Sequence, residues 1–286
     1  MNKLAISGGK GGVGKSMLSS SLSLLLNQQY DITAVDCDVD APNLAIWLNE
    51  IKNWEQVEKI SVSERPIVEE EVDEVKSCVE QCRFNALKSD EGELKVDPFL
   101  CEGCGACQYF CSAVKGMKEV QSGWIKSKVT HYGFSLLTGQ LKAGEAGSGK
   151  IVTEIKKRAD NLNSDLQIID SAPGTGCPVV AALQDVDFVV LVAEPTKSGF
   201  ADLKKVKEVI DHFDLDFGLV VNKWDINEEN FKELKKWAGD NYLGRIDYEQ
   251  RVVKAISTLT PIMKTDLSIK KQIKKVFEEI KRRINI

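Results

Sequence analysis

The chain has 286 residues, of which 43% are hydrophobic and 28% are charged, enough for one large domain and a small additional one. Its formal net charge of −5 disfavours a dedicated nucleic-acid binder, and no apolar run reaches the length of a membrane span. A glycine-rich loop follows the first strand at once, so we expect no signal peptide. With eight cysteines, this composition predicts a cytoplasmic protein that uses thiols for metal or redox chemistry.

Strand and helix patterns alternate along both ends of the chain. Short apolar runs predict strands, and stretches with apolar residues three or four positions apart predict helices. Repeated strand–helix units indicate an α/β fold with a mostly parallel sheet and helices on both faces. In chain order, the predicted elements are a strand at 4–6, a helix at 17–27, a strand at 32–35, a hairpin at 126–137, a helix at 147–158 and strands at 166–170, 188–192 and 217–221.

A change in composition from residue 52 to residue 122 interrupts this alternation. The segment is acidic at first and then contains cysteine and glycine, with few long apolar runs. Such a change predicts an inserted module. We therefore expect residues 1–51 and 123–286 to form one domain, and residues 52–122 to form a small α+β module.

The first predicted strand leads into a phosphate-binding loop that matches G-x4-G-K-[ST] and precedes a predicted helix. The glycines allow backbone N–H groups to surround phosphate oxygens at the positive end of the helix. Lys15 is expected to reach the β- and γ-phosphates, and the Ser16 hydroxyl is expected to bind Mg²⁺. The predicted nucleotide-binding residues of the loop are Gly9, Lys10, Gly11, Gly12, Val13, Gly14, Lys15 and Ser16.

A dinucleotide site is the main alternative for the same loop. Three of its glycines also match G-x-G-x2-G, and Asp36 lies at the separation expected of a ribose-binding acid. Lys15 and Ser16, together with an apolar strand that ends at Asp170, favour a nucleoside triphosphate, because a dinucleotide site requires none of these features.

Residues 10–16 resemble the deviant Walker A motif of the MinD/ParA class of ATPases, which includes the nitrogenase iron protein. The resemblance implies a P-loop ATPase that uses Mg²⁺ and closes as a dimer around MgATP. It also implies that Lys10 reaches across the dimer interface to the nucleotide of the partner, so that Lys10 and Lys15 both act in catalysis. The partner subunit would be a second copy or a close paralogue.

Two further segments resemble motifs of the same class, at residues 35–40 and at residues 169–176. A structural alternative is that Asp38 and Asp40 cap the helix predicted near Pro42. The resemblance implies that Asp38 positions the attacking water and that Asp40 lies near Mg²⁺. It also implies that Asp170, in the Walker B motif, supports Mg²⁺, and that the Gly174 N–H senses the γ-phosphate.

Base recognition is predicted at Asn222, Lys223 and Asp225, directly after an apolar strand. In many GTPases, Asn-Lys-x-Asp reads guanine through its aspartate. In MinD-like proteins, the asparagine usually contacts adenine. The resemblance therefore favours ATP, while GTP stays open.

A run of four cysteines has the C-x2-C-x2-C-x3-C spacing of a bacterial-type 4Fe–4S ferredoxin. In two-cluster ferredoxins, the fourth cysteine of each motif ligates the other cluster. A partner motif upstream retains only its last two cysteines, with valines at its first two ligand positions. This pairing predicts one cluster held by Cys82, Cys101, Cys104 and Cys107, with Cys78 and Cys111 close together as free thiols or a disulfide.

Three alternatives remain open for the cysteines. Four thiolates also suit a tetrahedral zinc site, and a module that has lost two ligands could be structural only. Cys177 resembles the switch II cysteine that holds a bridging cluster in the nitrogenase iron protein, which makes it a candidate interface thiol. Packing at a helix start is an equally good interpretation of Cys177.

Apolar residues from 269 to 280 share one helical face and alternate with basic residues. MinD proteins bind membranes through a terminal helix of this kind. A helix that docks on the sheet has the same pattern, and we favour docking.

These features predict an ATPase whose nucleotide state controls a 4Fe–4S module, with ATP-gated electron transfer to a partner enzyme as the favoured function. The alternative is an ATPase that carries or assembles iron–sulfur clusters. A third hypothesis is spatial positioning on a membrane or DNA. The predicted partners are a homodimer or paralogue subunit and a redox or cluster-acceptor protein, with no nucleic acid and no membrane.

Overall fold

A sheet of nine strands organises the chain, for which the computed structural model describes residues 2–69 and 75–284. The strands are β1 (Asn2–Ser7), β2 (Ile32–Cys37), β3 (Gln56–Ile60), β4 (Ser63–Val68), β5 (Leu87–Asp90), β6 (Glu93–Val96), β7 (Val114–Val120), β8 (Gly123–Val129), β9 (Ser135–Leu141), β10 (Leu166–Ser171), β11 (Phe188–Ala193), β12 (Asp216–Asn222) and β13 (Tyr242–Ile246). The helices are α1 (Lys15–Leu26), α2 (Leu44–Leu48), α3 (Val75–Gln81), α4 (Cys107–Phe110), α5 (Ser148–Asp160), α6 (Cys177–Leu183), α7 (Lys197–His212), α8 (Glu228–Ala238), α9 (Arg251–Ser257) and α10 (Ile269–Ile284).

The strand order in the large sheet is β13-β12-β11-β1-β10-β2-β9-β8-β3. The strands from β13 to β9 pair in parallel, whereas β8 and β3 extend the sheet in antiparallel fashion. Parallel neighbours need crossover connections, which the helices supply. The predicted α/β fold with a mostly parallel sheet is confirmed.

The two faces of the sheet have separate apolar cores because successive strand residues point to opposite sides. In β1, Leu4 and Ile6 belong to one core and Ala5 belongs to the other. The first core also contains residues of α1, α2, α9 and α10, and the second contains residues of α5, α6, α7 and α8. Burial of each large side chain contributes about 1.5–3 kcal/mol, so both faces stabilise the parallel strands.

The cysteine-containing segment forms two small sheets outside the large one. β4 pairs with β7, and β5 pairs with β6. β3 falls within the predicted insert, but it pairs with β8 in the large sheet, and the separate sheets begin at Ser63. A small core of its own holds this module together, formed by the buried residues Val75, Cys78, Leu87, Leu94, Cys107, Cys111, Ala113 and Val114.

Helix α10 packs on the large sheet through the apolar face that the sequence predicts. Its residues Ile273 and Val276 share a core with Leu243 and Ile246 of β13. This packing explains the amphipathic pattern without a membrane. Across residues 2–69 and 75–284, we find no helix with the length and apolar character needed to span a bilayer.

We predict that Ile273→Ala lowers the free energy of unfolding by about 2–5 kcal/mol, because Ile273 is fully buried and its truncation leaves a cavity. Lys271→Ala, at an exposed position of the same helix, should change the stability by less than about 0.5 kcal/mol. Urea denaturation of both variants measures the difference. Equal stabilities would contradict the docked position of α10.

Candidate nucleotide site and cysteine cavity

The phosphate-binding loop connects the end of β1 to the start of α1. Gly12 and Gly14 adopt positive φ values of 78° and 102°, a region that glycine enters without steric cost. Lys15 is buried and folds back over the loop, where its Nζ donates to the carbonyl oxygen of Lys10 at 3.3 Å. The loop therefore presents backbone N–H groups and one ammonium to the same volume, as phosphate binding requires.

Two acids compensate the charge of Lys15. Burial lowers the pKa of the Lys15 ammonium, and the carboxylates of Asp170 and Asp38 act in the opposite direction. Asp38 is half-buried; burial raises its pKa, and Lys15 opposes that rise. The Asp40 side chain is exposed, outside this group. A phosphate that entered the loop would meet a cation already held in place.

Asp170, near the end of β10, is fully buried beside the start of α1. Its Oδ1 accepts a hydrogen bond from Ser19 Oγ at 2.9 Å, and the Ser16 hydroxyl also bonds to the carboxylate. Burial raises the pKa of Asp170 to about 6, and the two hydroxyls limit the rise. Within the part of the chain that is described, Oδ2 has no hydrogen-bond partner. A buried carboxylate oxygen beside a serine hydroxyl fits a magnesium-bound water.

Asp36 has a structural role that the sequence did not reveal. Its Oδ1 accepts from the Asp38 N–H at 3.1 Å, and its Oδ2 accepts from the N–H groups of Asn43 and Leu44 at 2.9 Å each. The acid that caps the N-terminus of α2 is therefore Asp36, and not Asp38 or Asp40. Asp36 lies seven positions before Asn43. No local capping pattern covers that separation. The carboxylate is fully buried, so it cannot bind a ribose as the dinucleotide alternative requires.

Lys10 lies against Glu194, an acid that sequence reasoning missed. The Lys10 Nζ is 3.3 Å from Glu194 Oε2 and 3.4 Å from Thr196 Oγ1. Lys223 forms an ion pair with the other oxygen of Glu194 and donates to the Gly12 carbonyl at 3.1 Å. Glu194 follows β11, beside β1 in the sheet, so only the strand order brings it to the loop. In the single chain, both lysines thus share one largely buried carboxylate.

A cavity of about 320 Å³ adjoins the phosphate loop at Gly12 and Gly14. Asn222 and Lys223 line it, and the Asn222 Nδ2 donates to the Val13 carbonyl at 2.8 Å. The other walls include apolar side chains, as a nucleoside pocket requires. They are Met17, Trp47, Val252, Val253, Ile256 and Ile269.

Asp225 is not part of this cavity. Its Oδ1 accepts the backbone N–H of Tyr248 at 2.7 Å, so this carboxylate oxygen holds a neighbouring loop. A guanine-reading aspartate needs free oxygens that face the base. The structure therefore brings Asn222 and Lys223 to the loop and leaves Asp225 outside the cavity.

The segment at residues 169–176, which resembles switch II of the MinD/ParA class, lies beside the beginning of the phosphate loop. The Gly174 N–H donates to the Gly8 carbonyl at 3.2 Å, and Gly174 has a φ of 85°. Three residues later the chain enters α6 at Cys177, which is exposed. A γ-phosphate would compete with the Gly8 carbonyl for this N–H group.

Four thiols of the small module line one cavity of about 130 Å³, together with apolar side chains such as Phe84, Phe110 and Met117. Gly103 and Gly105 have positive φ values of 64° and 71°, which turn the chain between successive cysteines. The four cysteines are Cys82, Cys101, Cys104 and Cys107.

The thiols of this cavity interact electrostatically. Burial raises the pKa of Cys107, and Cys101, Cys104 and Cys82 raise it further. The Ala86 N–H donates to Cys82 Sγ at 3.4 Å, a type of bond that tunes iron–sulfur clusters. The donor set, the apolar walls and the N–H donor fit a cluster of the ferredoxin type.

Cys78 and Cys111 are joined in a disulfide inside the core of the small module. The structure therefore separates the six cysteines of this module into a bonded pair and four free thiols. For residues 2–69 and 75–284, no group of three or more His, Cys, Asp or Glu side chains is arranged so that it could hold a metal ion.

Residues 4–262 match the family described as the CobQ/CobB/MinD/ParA nucleotide binding domain. The chain belongs to this family. Two uncharacterized proteins of Methanocaldococcus jannaschii are 36% and 33% identical to it; the matches cover 98% and 87% of this chain, and 96% and 87% of those proteins. An iron–sulfur cluster carrier protein of Pyrococcus abyssi is 23% identical over 91% of this chain and 79% of its own length.

Solved structures of MinD share this fold. MinD of Pyrococcus horikoshii OT3 complexed with Mg-ADP has a TM-score of 0.59 at 15% identity, over 99% of this chain and 97% of that one. MinC:MinD of Aquifex aeolicus has a TM-score of 0.57 at 17% identity, over 100% and 96%. The MinD/ParA resemblance of the sequence motifs is thus confirmed at the level of a P-loop nucleotide-binding family.

We predict opposite effects of Asp170→Asn on stability and on ligand binding. The pKa of Asp170 is about 6 in the folded chain, above the ordinary 3.8. Ionisation of Asp170 therefore lowers the stability of the nucleotide-free protein as the pH rises through this interval, and the stability stays lower at neutral pH. The variant should therefore gain about 1–3 kcal/mol of stability at pH 7.5. It should also bind MgATP at least about tenfold more weakly, since it loses a charge that supports Mg²⁺.

Thermal unfolding without nucleotide and calorimetric titration with MgATP measure these two quantities. Asp240→Asn, at an exposed site, is the control and should change neither. A destabilised Asp170→Asn variant would show that the buried charge is favourable in the free protein, contrary to this account.

Proposed function

We propose that this MinD/ParA-family protein hydrolyses ATP in the cytoplasm, and that its nucleotide state controls electron transfer from one 4Fe–4S cluster to a partner redox protein. The observation that carries the proposal is the coexistence of two sites in one chain. The large domain contains a phosphate loop beside the buried carboxylate of Asp170, and four free thiols line one cavity in the small module.

The nucleotide half of the proposal follows from the charges around the loop. Lys15 and the backbone N–H groups bind the phosphates, and Ser16 with Asp170 holds Mg²⁺. Asp38, half-buried near Lys15, positions the attacking water. Positioning and charge neutralisation carry most of the catalysis of phosphoryl transfer.

Dimerisation supplies the remaining cation. Lys10 leaves Glu194 and crosses to the nucleotide of the partner subunit, while Lys223 stays on Glu194 and keeps that carboxylate paired. The partner is a second copy or a paralogue. Support for a paralogue comes from M. jannaschii, in which two proteins are each related to this chain at more than 30% identity.

The cluster half follows from the cysteine cavity. Cys82, Cys101, Cys104 and Cys107 would hold the cluster, and when bound it supplies one-electron redox chemistry. Phe84 and Phe110 add apolar walls to the cavity, and the Ala86 N–H stabilises negative charge on Cys82. Tetrahedral zinc would need the sulfurs at about 2.3 Å from one point. The C-x2-C-x2-C-x3-C spacing supports an iron–sulfur cluster over zinc.

A cluster carrier is the second candidate. It is favoured by the 23% identical relatives from two Pyrococcus species that are named as iron–sulfur cluster carrier proteins. Cys104 is exposed, so an acceptor could reach one ligand of the cavity. The two candidates differ in outcome: a carrier releases its iron to an acceptor during ATP turnover, whereas an electron-transfer protein retains it.

We predict that a non-hydrolysable MgATP analogue shifts the midpoint potential of the cluster. A shift of about 59 mV in a one-electron couple corresponds to a tenfold coupling between the two sites. An anaerobic redox titration monitored by EPR, with and without the analogue, measures it. Lys15→Ala, which cannot bind the phosphates, is the control and should show no shift. If the analogue leaves the midpoint potential of the wild-type cluster unchanged, nucleotide control is contradicted and the cluster-carrier candidate is favoured.

We predict that Cys82→Ala reduces bound iron to less than half of the wild-type content, whereas Cys78→Ala retains it. The reason is that Cys82 lines the cavity and Cys78 is bonded to Cys111. Iron analysis and the visible absorption of anaerobically purified protein measure the content. The reverse ranking of the two variants would overturn the ligand set.

A further inference from the structure

A short loop after β9 is flanked by residues that contact two segments next to the nucleotide site. We define residues 142–147 as the coupling loop. Just before it, the Leu141 N–H donates to the carbonyl of Val39 at 2.8 Å, between Asp38 and Asp40. Just after it, at the start of α5, a Cβ added to Gly149 would lie 3.0 Å from the Cβ of Cys177. The loop is thus tied to the segment that carries Asp38 and to the helix that follows switch II.

The middle of the coupling loop faces the cysteine module. Glu145 Oε2 is 2.7 Å from Arg65 Nη2, and the Glu145 side chain is only 4% exposed. Arg65 Nη2 also donates to the Pro98 carbonyl at 3.3 Å, three residues before Cys101. A buried pair of this kind has a defined geometry, because separation of its charges leaves one of them uncompensated.

Close packing accompanies the ion pair. A Cβ added to Gly144 would lie 2.2 Å from the ring of Phe99, so this ring rests on the backbone of the coupling loop. The neighbouring strand β4 touches both sides. Ser63 Oγ donates to the Ala146 carbonyl, and a Cβ added to Gly103, between two cluster cysteines, would lie 2.6 Å from the Glu64 carbonyl oxygen.

We propose that the coupling loop transmits the nucleotide state to the cysteine loop at residues 97–104, with the Arg65–Glu145 pair as the connecting contact. This inference rests on the proposed function and names the elements through which its control operates. A displacement of switch II or of the Asp38 segment moves an end of the coupling loop. The close contacts at Gly103 and Gly149 pass the displacement on, because packed contacts transmit strain.

Hydrogen–deuterium exchange on the full chain tests the inference without a redox readout. In the wild-type protein, a non-hydrolysable MgATP analogue should change the exchange rate of residues 97–104 at least twofold. Glu145→Gln should lose at least half of this change, because it removes the charge that holds Arg65. Protection of the phosphate loop at residues 9–16 by the analogue should stay as in the wild type.

Two further variants make the result specific. Lys142→Gln removes the more exposed partner of Glu145, whose Nζ lies 3.2 Å from Oε1, and should leave the exchange response unchanged. Phe99→Ala removes a side chain that is 74% exposed, so it should fold normally and still weaken the response. If Glu145→Gln and Phe99→Ala both respond like the wild type, the inference is overturned.

The same experiment separates this inference from the proposed function. If nucleotide changes the exchange of the cysteine loop but not the potential of the cluster, the role of the coupling loop is supported and the proposed electron-transfer function is contradicted. A wild-type cysteine loop that does not respond at all would overturn the coupling loop, whatever the potential does.

Discussion

The parallel pairing of β1, β10 and β2 is the constraint on which the rest of the structure depends. Its register sets Ile6 beside Asp170 and Asp170 beside Asp36, so two carboxylates are buried next to each other at the end of the sheet where the phosphate loop begins. Burial raises the pKa of both acids, and the Asp170 carboxylate raises the pKa of Asp36 further. Backbone N–H groups at Asp36 and hydroxyls at Asp170 offset part of this cost.

The same arrangement keeps the cations of the site paired before any nucleotide binds. Lys15 lies near Asp38 and Asp170, and Lys10 shares Glu194 with Lys223. Binding of a triphosphate is then an exchange of anionic partners, in which lysines that are already desolvated in part turn to phosphate oxygens. Exchange of this kind costs less free energy than desolvating exposed lysines during binding, because part of the desolvation penalty is already met when the chain folds.

The small module depends on the large sheet for its position and on its own core for its shape. The Cys78–Cys111 disulfide lies in that core, while the free thiols surround a separate cavity. The module touches the nucleotide domain through Arg65, Phe99 and Ser63, all of which meet residues 142–147. One site can regulate the other only through such contacts, since coupling requires that the contacts differ between two conformational states of the protein.

The sequence by itself determined the α/β class and the nucleotide-binding family, and it predicted which cysteines lie together, because these inferences follow from local periodicity and fixed spacings. Local patterns did not reveal that Asp36 caps α2, that Glu194 neutralises Lys10, or that Asp225 holds Tyr248 instead of facing a base. Lys10 and Glu194 are 184 positions apart, and Arg65 and Glu145 are 80 apart, so only strand order and packing bring these charges together. Tertiary structure decided these contacts because a buried charge takes whichever partner the fold places within reach.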